Sequence, residues 1–247
     1  MWSFELLIIV TAVFLLAGFV KGAIGLGLPT VSLALLTATV GVREAVALML
    51  VPSLVTNVWQ AVSGGAFAVI FRRLWPLLAA AGLGIWFGTG FSAAARPEQL
   101  SGVLGVLLVV YAAFALLTRP IPAPGRWEVL ASPAVGAVNG VLTGLTGSFV
   151  MPGVPYLQAL GLPRDMLIQA MGLLFSVSTI VLGLALARHG LWTADIGGLS
   201  VAALAPAFAG LALGQRLRRH MAEAAFRRMF LCGLLLLGAY ISVRAFL

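Results

Sequence analysis

The chain has 247 residues, 62% of them hydrophobic and only 9% charged, with a mean hydropathy of +1.11, where a soluble domain carries about 25% charged residues. This excludes a water-soluble globular protein and marks an all-α polytopic membrane protein, one transmembrane domain spanning residues 1–247. The formal net charge of +8 does not point to nucleic acid, because the arginines stand singly or in short clusters between apolar runs, where they act as topology signals.

In chain order the predicted elements are apolar runs at Leu6 to Val20, Pro29 to Val40, Ala45 to Val62, Leu74 to Ala94 and Leu100 to Leu117. The first lacks a basic leader and runs straight into a glycine segment, so it is read as a retained helix and not a signal peptide. After the proline-rich connection Thr118 to Glu128 the order recurs, with runs at Val129 to Val138, Phe149 to Leu160, Met166 to Ala187, Ile196 to Gly214 and Met229 to Ile241. Gly18-x-x-Lys21-Gly22 matches Gly136-x-x-Asn139-Gly140, Val42-Arg43-Glu44-Ala45 matches Pro163-Arg164-Asp165-Met166, and Gly84-x-x-x-Gly88 matches Gly210-x-x-x-Gly214. Three matches in one order with slowly drifting offsets indicate a duplication, with repeat 1 at about residues 4–118 and repeat 2 at about 129–247.

The first two runs of each half fall short of the roughly 20 residues a crossing needs, so the opening elements are expected to be broken or re-entrant. Glycine segments separate the two runs in both halves, Gly18 to Pro29 and Gly136 to Gly147. A helix broken at membrane depth is tolerated only where protein or a hydrated cavity satisfies its backbone, and a matched pair of broken helices marks a substrate site in many secondary transporters. If each opening pair makes an even number of net crossings, Arg72, Arg73, Arg119, Arg126, Arg164, Arg216, Arg218, Arg219, Arg227 and Arg228 lie inside, leaving Arg43, Arg96, Arg188 and Arg244 outside. That asymmetry is the one the positive-inside rule prefers. It makes an odd number of elements per half, about five, and hence two inverted repeats with 8–10 membrane segments and both termini outside.

The glycine-rich opening with its Lys-Gly step, its second copy after mid-chain, and some 250 residues of duplicated apolar helices resemble the sulfite exporter TauE/SafE family of membrane permeases, also called TSUP. The resemblance runs from Phe4 to the C-terminus. It implies a multi-pass secondary transporter in the bacterial inner, or cytoplasmic, membrane, exporting sulfite, sulfonates or related small organic anions. Its partners would then be a small anionic substrate and the lipid bilayer.

An anion that leaves water needs its hydration replaced, and unpaired N–H groups at helix starts do this where glycine lets the ligand approach. Gly22, Gly25 and Gly27, and Gly140, Gly144 and Gly147, are therefore read as a backbone cradle in preference to packing residues, the role assigned to Gly84/Gly88 and Gly210/Gly214. Lys21, the single lysine, either meets the anion or snorkels to an interface. Asn139, its counterpart, sits deeper, where its amide needs partners. The third runs carry polar stripes, Ser53, Thr56, Asn57 and Gln60 in one and Gln169, Gly172, Ser176 and Thr179 in the other. Such stripes line a hydrated path or bond across a helix interface, and lining is the preferred reading for Asn57, Gln60, Gln169 and Ser176. Pro52 should free a carbonyl in the first of these helices.

The remaining polar residues read as structural. Arg43/Glu44 and Arg164/Asp165 stand at helix starts, His189 and His220 in loops, Trp2, Trp75, Trp127 and Trp192 at interfaces, and Cys232 inside the last run as a packing residue. No metal-ligand motif, Walker motif or nucleophile triad is present, so neither cofactor nor enzyme activity is expected. A passive anion channel or a membrane scaffold is the alternative to a permease.

Overall fold

The computed structural model describes residues 2–117, 121–218 and 223–246, so Arg119, Arg219 and His220 lie outside the described residues. The described residues form helices without a strand: α1 Phe4–Ile24, α2 Leu28–Val40, α3 Val42–Val62, α4 Phe67–Ala94, α5 Pro97–Leu117, α6 Glu128–Thr146, α7 Gly153–Ala159, α8 Arg164–Arg188, α9 Ala194–Ala202, α10 Leu204–Leu217 and α11 Glu223–Phe246. Among them are 8 helices long and apolar enough to cross a membrane, α9 and α10 counting as one. This is a multi-pass membrane protein.

The sequence expectation of two short runs opening each half needs correcting in one respect. α1 has 21 residues and α6 has 19; the short elements are the second ones, α2 with 13 and α7 with 7. Loss of apolarity does not stop a helix when the polar and glycine residues are buried against protein. α1 continues through Lys21 and Gly22, and α6 continues through Asn139, Gly140 and Gly144. What stops them is a left-handed glycine: Gly25 (φ 81) returns its N–H to the Lys21 carbonyl at 2.8 Å, and Gly147 (φ 76) returns its own to Thr143 at 2.7 Å. Only glycine adopts that conformation at little cost, and it closes the last helical turn.

The chain forms two compact units. The first contains Met1–Pro52, Arg96–Leu117 and Leu191–Leu247, and the second contains Ser53–Ala95 and Thr118–Gly190. Each therefore draws elements from both halves of the sequence, and the expected repeat boundary near residues 118–129 is not a boundary between compact units.

In the first unit α1 packs on α10 through glycines on both sides. A methyl group added to Gly18 would strike the Ala207 carbonyl and one on Gly22 the Leu211 carbonyl, while Gly210 and Gly214 meet the carbonyls of Leu15 and Phe19. Contact positions rise together along both helices, so α1 and α10 run parallel. α5 and α11 run antiparallel, because Gly102 faces Phe246 while Gly105 faces Ser242 and Gly238. α9 is tied to α3 at its proline. Pro52 has no N–H to give the Leu48 carbonyl, and the Ser200 hydroxyl donates to that carbonyl at 2.7 Å instead, while accepting from Val51 N–H at 3.2 Å.

The second unit repeats the glycine-on-glycine packing with the roles of the halves exchanged. Gly136, Gly140 and Gly144 on α6 face the carbonyls of Leu77, Ala81 and Ile85 on α4, and Gly84 and Gly88 on α4 face those of Ala137 and Val141. Again the positions rise together, so α4 and α6 run parallel. A bidentate pair joins their N-terminal ends, Arg73 Nε to Glu128 Oε1 at 2.6 Å and Arg73 Nη2 to Glu128 Oε2 at 2.8 Å. Gly84/Gly88 and Gly210/Gly214 are thus packing motifs, as the sequence indicated, and each packs against one of the opening glycine segments.

Two smaller expectations resolve differently. Arg43/Glu44 and Arg164/Asp165 do open α3 and α8. Cys232, expected inside the packing, is exposed on α11, since a single apolar run does not reveal which of its faces is turned inward.

Candidate functional site

Each unit contains one interrupted helical hairpin, and polar groups collect at the interruption. In the first unit α1 ends at Ile24, and the link Gly25-Leu26-Gly27 leads into α2. Gly27 (φ 109) sits at the N-cap of α2, which has no side-chain cap and carries a proline within its first two positions. The opening N–H groups of a helix have no intrahelical acceptor, and here no side chain takes their place. Lys21 lies one turn before the break and is 5% exposed, so its chain does not extend out of the protein surface.

In the second unit the stretch Ser148 to Pro152 joins α6 to the short α7, with a cis peptide bond at Met151–Pro152. Its backbone is held by side chains of α6. The Thr143 hydroxyl donates to the Ser148 carbonyl at 2.8 Å, Ser148 N–H donates to Thr146 Oγ1 at 3.2 Å, and Asn139 Oδ1 accepts from Gly153 N–H at 2.9 Å. Asn139 is fully buried, and its Nδ2 has no acceptor within hydrogen-bonding reach among the described residues.

Not every glycine of the expected cradle stands at a break. Gly25, Gly27 and Gly147 do, all with positive φ. Gly22, Gly140 and Gly144 are helical and sit against backbone of α10 or α4, where Gly144 would bring a methyl group to 2.5 Å from the Ile85 carbonyl oxygen and 2.7 Å from Thr89 N. The spacing of these glycines is the same for both purposes, and only the facing helix distinguishes them.

The polar stripes of α3 and α8 meet each other within the second unit. Gln60 Nε2 donates to the Ile168 carbonyl at 2.7 Å, and Gln169 Nε2 donates to the Ala61 carbonyl at 2.6 Å while its Oε1 accepts from Ala66 N–H at 3.0 Å. Both glutamines therefore bond across a helix interface, the alternative left open beside lining a path. Gly172 sits between them, where a methyl group would come within 2.7 Å of Ala61 N. Ser176 and Thr179 turn their hydroxyls back to the Gly172 and Phe175 carbonyls at 2.7 Å each. Asn57 is fully buried on the same helix as Gln60.

The residues that hold the breaks include several the sequence reading passed over. Thr143, Thr146, Ser148 and Gly153 carry the second break, and Ser200 fills the carbonyl that Pro52 leaves open. Pro52 was the available signal for the last of these, but not for the identity of the donor, which comes from 152 residues away. The described residues also contain no group of three or more His, Cys, Asp or Glu side chains fit to hold a metal ion.

Compared with known proteins, residues 10–241 match the model of a family described as "Sulfite exporter TauE/SafE". No curated protein and no solved structure matches the chain.

Proposed function

The chain belongs to the sulfite exporter TauE/SafE family, a family of membrane transporters, and from that premise we propose that it is a secondary permease exporting sulfite, sulfonates or related small anions across the bacterial cytoplasmic membrane. The observation that carries the reading is the pair of helix breaks. They occur at corresponding places in the two halves, each stopped by a left-handed glycine, and each preceded on its helix by a buried polar side chain, Lys21 or Asn139. Irregular backbone at this depth has one well-attested use, to bind what is carried.

In this reading Lys21 supplies charge and the uncapped start of α2 at Gly25 and Gly27 supplies backbone N–H groups, while Asn139 and Gly147 mark the second break. Asn57 and Ser176 lie on the helices that flank it. Gln60, Gln169, Gly22, Gly140 and Gly144 hold the scaffold that positions these groups. Reconstituted into proteoliposomes, the protein is expected to give saturable flux of at least one of sulfite, small alkanesulfonates and short carboxylates, and none of neutral solutes of the same size. Flux that stays linear with concentration would make it a channel; the absence of flux with every anion would end the transport reading.

The inverted arrangement of the repeats belongs to the same proposal. Within the first unit α1 runs parallel to α10 and α5 antiparallel to α11, and the short connection between α10 and α11 reverses the chain. α1 and α5 then point the same way. A repeat that begins and ends in one direction has made an odd number of passes, so the second starts reversed. Reporters fused near Arg126 and at Arg218 are expected to be cytoplasmic and one at the C-terminus periplasmic, and finding the first two on opposite sides sinks the arrangement.

A further inference from the structure

Resting on the anion-permease reading, we propose that Asn139 selects for hydrogen-bond-accepting anions at the second helix break, its amide locked with the oxygen toward the backbone and the NH2 group toward the substrate. The orientation follows from the partner. A backbone N–H can only donate, so the atom 2.9 Å from Gly153 N is the amide oxygen. The lock requires a glycine, because a methyl group on Gly153 would come within 2.7 Å of that oxygen and within 2.9 Å of Leu174 Cδ2.

The NH2 group then faces away from Gly153 with both protons unused, in a side chain that is 0% exposed. Its neighbours on α6 have no such capacity left. The Thr143 hydroxyl proton goes to the Ser148 carbonyl and that of Thr146 to the Leu142 carbonyl. Burying a donor without an acceptor costs free energy and is selected against unless it serves a purpose. Two fixed N–H bonds pointing into a closed space suit a ligand whose outer atoms are acceptors only, as the oxygens of sulfite and sulfonates are. They repel a cation. The first break differs in kind, since Lys21 offers a full charge on a long chain, whereas Asn139 offers direction without charge.

Asn139→Asp separates the two ends of the amide. The carboxylate keeps an oxygen for Gly153 and removes both donors. In the purified protein, binding of sulfite, sulfate, methanesulfonate and acetate is measured together with the melting temperature. N139D is expected to melt close to the unmodified protein and to bind its anions about tenfold to a hundredfold more weakly, the range for one hydrogen bond to a charged group. With methanesulfonate, whose charge is constant with pH, the deficit relative to the unmodified protein should shrink as pH falls and the carboxyl group regains a proton to donate. Asn139→Leu should lose affinity and melt lower as well, because Gly153 N–H is orphaned; it carries the comparison if N139D does not survive purification. Anion affinity unchanged in the measured variant overturns the role of Asn139 and leaves the permease reading standing. Failure of the unmodified protein to bind any of the four anions brings down both.

Discussion

Gly140→Ala is expected to be the most damaging single methyl group in the molecule, lowering stability by about 3 kcal/mol or more, since overpacking against yielding side chains already costs about 1–3 kcal/mol. For a chain of this length that is a fall of roughly 6–12 °C in melting temperature. The added carbon would overlap the Ala81 carbonyl oxygen and lie 2.9 Å from both Ala81 C and Cα. Backbone cannot swing aside as a side chain can, so α6 must move off α4 along the whole glycine ridge, including Gly136 and Gly144. Such close approach is what holds helices together in lipid, where apolar burial gives no net attraction between them. Gly90→Ala is the matched control. It lies on α4 with nothing within 4 Å of the added methyl group, so relief of glycine's conformational freedom should raise stability slightly. Melting curves that coincide for the two variants would show that the α4–α6 approach is looser than described.

The second large effect concerns Lys21. Lys21→Met keeps a flexible chain of similar length and removes the charge, and anion flux should fall by roughly 30-fold to several-thousandfold, corresponding to the 2–5 kcal/mol that a buried charge interaction is worth when one partner is truncated. Folding should not suffer in proportion. The side chain is 5% exposed, and exchanging a buried ion for an apolar chain of equal volume is often neutral or stabilising. The variant is therefore expected to melt at or above the temperature of the unmodified protein while transporting poorly. Flux and melting temperature measured on one preparation decide it. Normal flux, or a loss of flux matched by a loss of fold, would make Lys21 a structural cation and leave the cradle to the backbone of α2 alone.

These two predictions divide the opening motif Gly18-x-x-Lys21-Gly22 between separate tasks, a division the motif itself does not display. Gly18 and Gly22 recur four residues apart, which places them on one helix face, and the sequence reading took Gly22 with Gly25 and Gly27 as one cradle. Gly22 meets the Leu211 carbonyl, whereas Gly25 and Gly27 turn the chain with φ of 81 and 109. Glycine is required in both places for different reasons: the absence of a side chain in one, and access to the left-handed region in the other. A one-dimensional pattern carries neither the facing helix nor the dihedral angle.

What the sequence determined by itself is set by quantities that sum along the chain. Hydropathy over windows of about 20 residues located the spans, and the order of glycine, acid and arginine signals exposed the duplication, because transfer free energy and internal similarity are both local and additive. The family followed from the same motifs, and its model matches residues 10–241. Only the tertiary structure decided which helix answers each polar group. Gln60 and Gln169 read equally well as path-lining residues or as cross-helix bonds, and they bond to the backbone of Ile168 and Ala61, 108 residues away in each case. Asn139 could have turned either end of its amide to its neighbours, and Gly153 N–H fixes which. Hydrogen bonds are short-ranged and directional, so their partners depend on which segments the fold brings within about 3 Å, and that is a property of the packed helices and not of any window of sequence.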